Sequence, residues 1–488
     1  MKFLKLPSVV LFIVIIFIYF YALSLKVPMN SDGASAVLQA KDMLEGNVFL
    51  RNWYLSTGTY ITTDLFLYVL LLPFLGFSTN VIYVGSAIFY TGLVIVCMWI
   101  SAKKKNGISY KRAFATFAIV GLPNLFVTNM VFSGPMHTSS LLYCLLALFI
   151  WEYAKNIYVR YGSLFIILTL ALIADPFVLW FFVVPFVLAC AYKAIRNKSE
   201  YISLGIVIGS YVTSKVVMKF VGFNVPSIGE TRFVKIDELK KNVVLTIEGI
   251  LNLYGANFFG QSVSTIVLIV ILHLFVLIFT IWLGYQSIKK IDKSNVSTLE
   301  LFLIIGIMIN IVEYVCSNMP INIATTRYIL PAFVFFSIYI GKFSLSRINS
   351  RKITVALSIS LILYALTSLQ TVTLNKTVSI YQEVADFLQQ KGLTRGYGSY
   401  WNSSIVTLES ENDVIIRPVV YNGEIVPFAW FSKTSWYSEP TNFLIFDNTN
   451  WGDINAENAE KKFGVPDRIY NFNGLTILYW DKDISKEL

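Results

Sequence analysis

From residue 7 to residue 25 the chain carries no charged side chain, and eight more apolar runs of similar reach follow it. About 20 apolar residues cross the hydrocarbon core of a bilayer as a helix, with a lower limit near 17. By that measure spans are expected at about 7–27, 80–101, 113–133, 138–154, 201–220, 263–288, 298–317, 328–344 and 353–372. Residues 163–192 form one further apolar block, broken by Ala174, Asp175 and Pro176. A proline bars the helix ahead of it, which predicts two shorter spans, 163–173 and 177–192, meeting at a turn. Only 14% of the residues are charged, against roughly 25% in soluble domains. The basic start and long apolar core of the N-terminus predict an uncleaved first span.

Charge sets the topology. The stretch 64–76, DLFLYVLLLPFLG, is apolar but only 13 residues long, with Pro73 inside it. If it does not cross, the loops on the N-terminal side hold 19 Lys and Arg, and the opposite loops hold eight against nine acids. Lys/Arg-rich loops stay in the cytoplasm. Residues 64–76 are therefore read as a re-entrant or interfacial segment. That leaves about eleven transmembrane helices, a cytoplasmic N-terminus and a tail outside the cell membrane. The tail, 373–488, has ten basic and fifteen acidic residues. The net charge of +10 thus belongs to the cytoplasmic loops, and it reports topology rather than a nucleic-acid partner.

The expected architecture is an all-α polytopic membrane domain over 1–372, with outer loops 28–79 and 221–262, and a small extracytoplasmic α/β domain over 373–488. In the tail, 378–392 and 455–464 have helical spacing, while GYGSYWNSSIVTLES, DVIIRPVV and TNFLIFD read as strands. Residues 468–481 read as a hairpin turning at Asn473 and Gly474. The second outer loop carries an amphipathic helix ending near Gly255. The four cysteines all lie in apolar spans and form neither a metal set nor a disulfide framework. No cofactor and no metal site is legible, and a divalent metal requirement is left open.

The candidate chemistry gathers on the outer face. The segment PMNSDGASAVLQAKDMLEGN, 28–47, follows the first span and reads as a capped amphipathic helix on the membrane surface. Asn30, Ser31 and Asp32 are each good N-caps, so Asp32 is either the cap or a free carboxylate able to act as a general base. Asp64 is either a cap or a polar member of the same loop. His137, in SGPMHTSS, stands between the third and fourth spans as a polar loop residue, a donor to a phosphate or a metal ligand. Asp175 caps the seam before Pro176. Glu313 lies inside a span, where an ionisable group is either functional or paired. His273, mid-span, reads as a packed polar residue. Arg327 stands at the mouth of the tenth span, snorkelling or gripping a phosphate in bidentate geometry, with Tyr328 beside it in the aromatic belt.

These pieces resemble the GT-C class of membrane glycosyltransferases, which includes the protein O-mannosyltransferases and the aminoarabinose transferase of lipid A. The resemblance rests on NSDGASAVLQAKDMLEGN, TTDLFLYVLLLPFLG, PMHTSS, the Ala174-Asp175-Pro176 break, TTRYILP and GYGSYWNSSIVTLES. It implies a polyprenyl-phosphate sugar as donor, an extracytoplasmic glycan, lipid or protein as acceptor, and membrane lipids around the bundle. It also implies Asp32 as catalytic base, and Arg327, Tyr328, His137 and Asp64 around the lipid phosphate. Where the class often shows a paired acidic dipeptide, Asp32 here follows a serine. A transporter or flippase of lipid-linked saccharides is the rival reading, and a non-catalytic protein whose outer domain binds a partner is a third.

Overall fold

The computed structural model describes residues 6–104, 107–134, 137–195, 198, 200–226, 232–261, 265–292, 294–347, 350–376, 379–449 and 451–488. Pro135 and Met136 of the PMHTSS turn and residues 227–231 of the second outer loop lie outside the described residues. So do Lys2, Lys5, Lys105, Arg196 and Lys293 of the basic loops.

Among the described residues, eight helices are long and apolar enough to cross a membrane. The chain is a multi-pass membrane protein. Many of its large apolar side chains, such as Leu11, Ile18, Leu268 and Ile278, are exposed on these helices, as lipid-facing residues must be. The run 113–133 is not a straight span. It is two helices, Tyr110–Val120 and Leu125–Phe132, bent by 84°. The sequence between them, Gly121-Leu122-Pro123-Asn124, explains the bend: the proline ends the first helix, and the Asn124 side chain caps the second by accepting from Val127 N. The block before Asp175 begins earlier than expected, as one helix Ile157–Ala174. Leu179–Ala194 and Ile61–Leu75 are shorter apolar helices, the latter opening with a wide turn at Ile61–Leu65.

The tail builds a six-stranded mixed sheet. Its strands are β1 Arg395–Gly398, β2 Ile415–Tyr421, β3 Ile425–Pro427, β4 Phe443–Asp447, β5 Arg468–Phe472 and β6 Leu475–Tyr479, in the order β3-β2-β1-β4-β6-β5. β1 runs parallel to both β2 and β4. β5 and β6 form a hairpin through Asn473 and Gly474, both at positive φ, the geometry that Asn-Gly favours. The expected strand GYGSYWNSSIVTLES is a strand only at its start. Its remainder forms a turn at Tyr400–Asn402 and a helix, Ser404–Glu409. There the serines satisfy backbone groups: Ser403 donates to Ser399 O at 2.8 Å, and Ser410 to Val414 O at 3.0 Å.

The tail domain does not stand off from the bundle. Its Ser404–Glu409 helix packs on the helix Ser31–Leu44, and Ser35 Oγ donates to Ser404 Oγ at 2.8 Å in a buried contact. Trp53–Tyr54 of the first outer loop pairs antiparallel with Ser432–Lys433. Asp42 joins the two, accepting from Lys433 Nζ at 2.8 Å and from Trp53 Nε1 at 2.7 Å. One apolar core runs from the membrane helices through this seam into the domain.

Candidate active site

Four segments meet at the end of the bundle that carries the tail domain, and each is held by local chemistry. The surface helix Ser31–Leu44 is capped by Asn30, whose side chain accepts from Gly33 N at 3.1 Å. The cap is therefore filled by Asn30, and the Asp32 carboxylate in the first turn is left for another partner. Gly33 is a close-approach glycine: a Cβ there would meet Ser133 O at 2.7 Å, and Gly134, at φ +137, lies against its backbone. This contact holds the Ser133–Gly134 stretch against the helix that carries Asp32.

The first outer loop is tied to the end of the Ile157–Ala174 helix. Tyr60 N donates to Ala174 O at 3.0 Å and Thr59 Oγ1 to Ile173 O at 2.8 Å. Asp175, which follows that helix, uses both carboxylate oxygens. One accepts from Phe177 N at 3.0 Å, and the other lies 2.7 Å from His137 Nδ1 in a buried contact. The seam role expected for Asp175 is present, together with a partner that the sequence reading did not assign. The His137 ring sits among Phe177 and Tyr328, at ring distances of 5.2 and 5.4 Å. Arg327 and Tyr328 come from the tight helical segment Ile323–Ile329, and the guanidinium lies 5.2 Å over the Tyr328 ring.

These groups enclose one cavity of about 50 Å³, lined by Asp32, Tyr60, His137, Arg327 and Tyr328 from the bundle side. Trp430 and Phe431 of the tail domain close it. Tyr400 of the same domain donates its hydroxyl hydrogen to Asp32 Oδ1. Burial pushes the Asp32 carboxyl above the ordinary carboxylate range, while the Tyr400 hydrogen bond and the Arg327 charge pull it back. Burial and the adjacent Asp32 charge hold the Tyr400 phenol well above its usual value, so it serves as a donor.

The structure thus brings Asp32, His137, Arg327 and Tyr328 to one cavity wall. Asp64 is not on it. Its carboxylate is buried behind, accepting from Ser139 and from Thr63 Oγ1 at 3.0 Å. His273 is buried in the bundle, 2.8 Å from Thr367 Oγ1. Glu313 lies in a separate groove with Trp180, Arg232 and Met308. Among the described residues no group of three or more His, Cys, Asp or Glu side chains is placed to hold a metal ion. Sequence reasoning missed Tyr400, Trp430, Phe431 and Tyr60. The one available signal was the aromatic density of GYGSYWNSS, and nothing in it locates those rings over the bundle.

No family model matches the sequence, and no curated protein matches it. Solved structures do match in shape. ArnT from Cupriavidus metallidurans in the apo state superposes with a TM-score of 0.59 at 11% identity, covering 97% of each chain. The chain has the GT-C fold. The same ArnT bound to undecaprenyl phosphate gives 0.57 at 10% identity, covering 97% of this chain and 98% of that one. The Archaeoglobus fulgidus oligosaccharyltransferase, in complex with zinc and sulfate, gives 0.52 at 11% identity over 96% of this chain and 73% of that one. The GT-C likeness therefore extends through the tail domain as well as the membrane helices.

Proposed function

We propose that this chain is a membrane glycosyltransferase that moves a sugar from a polyprenyl-phosphate donor to an extracytoplasmic acceptor. The observation that carries the reading is the placement of an acid, Asp32, and a cation, Arg327, on the wall of one buried outer cavity. Inverting transfer needs a base at the acceptor hydroxyl and positive charge at the departing phosphate. Asp32 takes the acceptor proton. Arg327 carries the developing charge of the leaving polyprenyl phosphate, with the His137 ring, held by Asp175, on the same cavity wall. The structural likeness to an ArnT that binds undecaprenyl phosphate supports the donor class. The basic loops opposite the site support a cytoplasmic N-terminus and an outer face for the chemistry.

The donor tail has a place to lie. An apolar cavity of about 180 Å³ runs between membrane helices, lined by Leu253, Tyr254, Leu277, Ile329, Phe333 and Phe336. Ile329 ends the segment that carries Arg327, so a phosphate at Arg327 has apolar wall beginning two residues away. The polar cavity itself, at about 50 Å³, is smaller than a sugar phosphate needs. The tail domain, which supplies Tyr400, Trp430 and Phe431, must shift outward for the donor and acceptor to enter.

The direct test uses the full chain in nanodiscs with polyprenyl-phosphate-linked sugars and mixed lipid and glycan acceptors. Transfer with release of polyprenyl phosphate is expected. Movement of the intact lipid-linked sugar across vesicles that lack acceptor, without release, would establish the flippase reading instead.

A further inference from the structure

Among the described residues, a cavity much larger than the one at Asp32 lies near the opposite ends of the helices. It measures about 730 Å³ and opens between the Tyr110–Val120 helix, the Arg351–Ser368 helix and the short turn Leu345–Arg347. Its rim carries Lys104, Lys111 and Arg112, and no carboxylate lines it. None of the three is in an ion pair among the described residues. Three uncompensated cations on one concavity repel each other by like charge and lower each other's stability unless an anion joins them.

The rest of the lining sorts by depth. Along the Arg351–Ser368 helix the wall runs from Thr354 through Ser358 to Leu361 and Ile362, a little over two turns. The hydroxyls of that wall are already used: Thr354 donates to Ser350 O at 3.0 Å and Ser358 to Thr354 O at 2.9 Å. The charged donors of the lining are the lysines and the arginine. Phe114 and Ile362, both exposed, carry the apolar end of the groove onto the lipid-facing surface of the bundle. A ligand here has an anionic head at the rim and an acyl chain along the helices.

We infer that this groove is a binding site for an anionic phospholipid of the basic-loop leaflet, its phosphate held by Lys104, Lys111 and Arg112. Charge complementarity and the polar-to-apolar gradient favour a lipid over a soluble anion, because a free phosphate leaves the apolar half unused. Each basic side chain near an anionic headgroup contributes about 1 kcal/mol.

The test places the full chain in nanodiscs of phosphatidylcholine with or without phosphatidylglycerol and counts retained lipid by native mass spectrometry. Wild type should retain phosphatidylglycerol in preference to phosphatidylcholine. Replacing all three cations (K104Q, K111Q, R112Q) should weaken that retention on the order of 100-fold, and K111Q alone about fivefold. The swap K104R, K111R, R112K should keep it. Retention unchanged in both the triple and the single variant overturns the site. Displacement of the lipid by inorganic phosphate at comparable concentration overturns the lipid assignment. Should the triple variant fail to elute as a single folded species, K111Q and the charge-preserving swap carry the decision.

Discussion

Tyr400 donates a hydrogen bond to Asp32 across 368 residues of chain, from the tail domain into the first turn of the first outer helix. The contact makes the carboxylate a shared element of both domains. It also sets that carboxylate's chemistry, because a hydrogen bond to the charged form partly offsets the cost of burial.

Asp32→Asn should lower sugar transfer about 1,000-fold, the usual scale for loss of a general base, while the protein still folds and binds donor. Transfer within a factor of ten of wild type would remove Asp32 from the base role. The substitution is close to isosteric, and the Tyr400 donor keeps an acceptor oxygen, so a folding defect is not expected.

The pH dependence has a definite sign. The base works only when ionised, and burial raises its pKa, so activity should rise with pH along an acid limb above the ordinary carboxylate range. Tyr400→Phe removes a hydrogen bond that favours the ionised form. The limb should therefore move to still higher pH, with about a tenfold loss at neutral pH. A limb that moves down, or stays fixed, in rate profiles of the purified variant contradicts the coupling.

Arg327→Ala should weaken binding of polyprenyl phosphate by roughly 10- to 100-fold, the value of a charge-assisted hydrogen bond to phosphate. Arg327→Lys keeps the charge but loses the fork and should fall between. Unchanged affinity in a lipid-phosphate binding assay would move the anion site elsewhere on the cavity wall.

Much of this arrangement was readable from residue order, for physical reasons. Lipid leaves the backbone little choice, so long apolar runs become helices, and the charge of their loops assigns Asp32, His137, Asp175 and Arg327 to one face. The role of Asp32 was not decidable that way. Asn30, Ser31 and Asp32 have equal capping chemistry, and only the backbone geometry gives the cap to Asn30. The bend at 121–124 was signalled by Pro123 but hidden by an uninterrupted apolar run on both sides. Asp64 looked equivalent to Asp32 in composition, yet it lies within the wide turn Ile61–Leu65 with its buried carboxylate accepting from Ser139. Tyr400 could not be placed, since docking of the tail domain is a long-range event with no local pattern.

Gly33→Ala tests the packing of Ser133 and Gly134 against the helix that carries Asp32. The added methyl would meet a backbone oxygen, Ser133 O, at 2.7 Å, and a carbonyl cannot yield as a flexible side chain does. A stability loss of about 1–3 kcal/mol is expected, with transfer reduced further than folding accounts for. Thermal unfolding and kcat measured on the same preparation separate the two. An alanine variant as stable and active as wild type would mean that this contact does not fix the site.

Closure of the tail domain over the cavity can be trapped chemically. Ser35 and Ser404 face each other across the domain seam with their hydroxyls 2.8 Å apart, which makes them the pair to replace by cysteines. The native cysteines do not interfere, since Cys97, Cys144 and Cys190 are buried and Cys316 is half-buried elsewhere in the bundle. In the pair S35C, S404C, oxidation should hold Tyr400 against Asp32 and keep the cavity at its closed volume. Because that volume excludes a sugar phosphate, the oxidised protein should lose transfer by about 100-fold or more, and reduction should restore it. The single variants S35C and S404C should be insensitive to oxidant. If the cross-linked protein, verified by mass spectrometry, turns over at the reduced rate, substrates reach Asp32 without opening of this seam, and their path must run between the membrane helices instead.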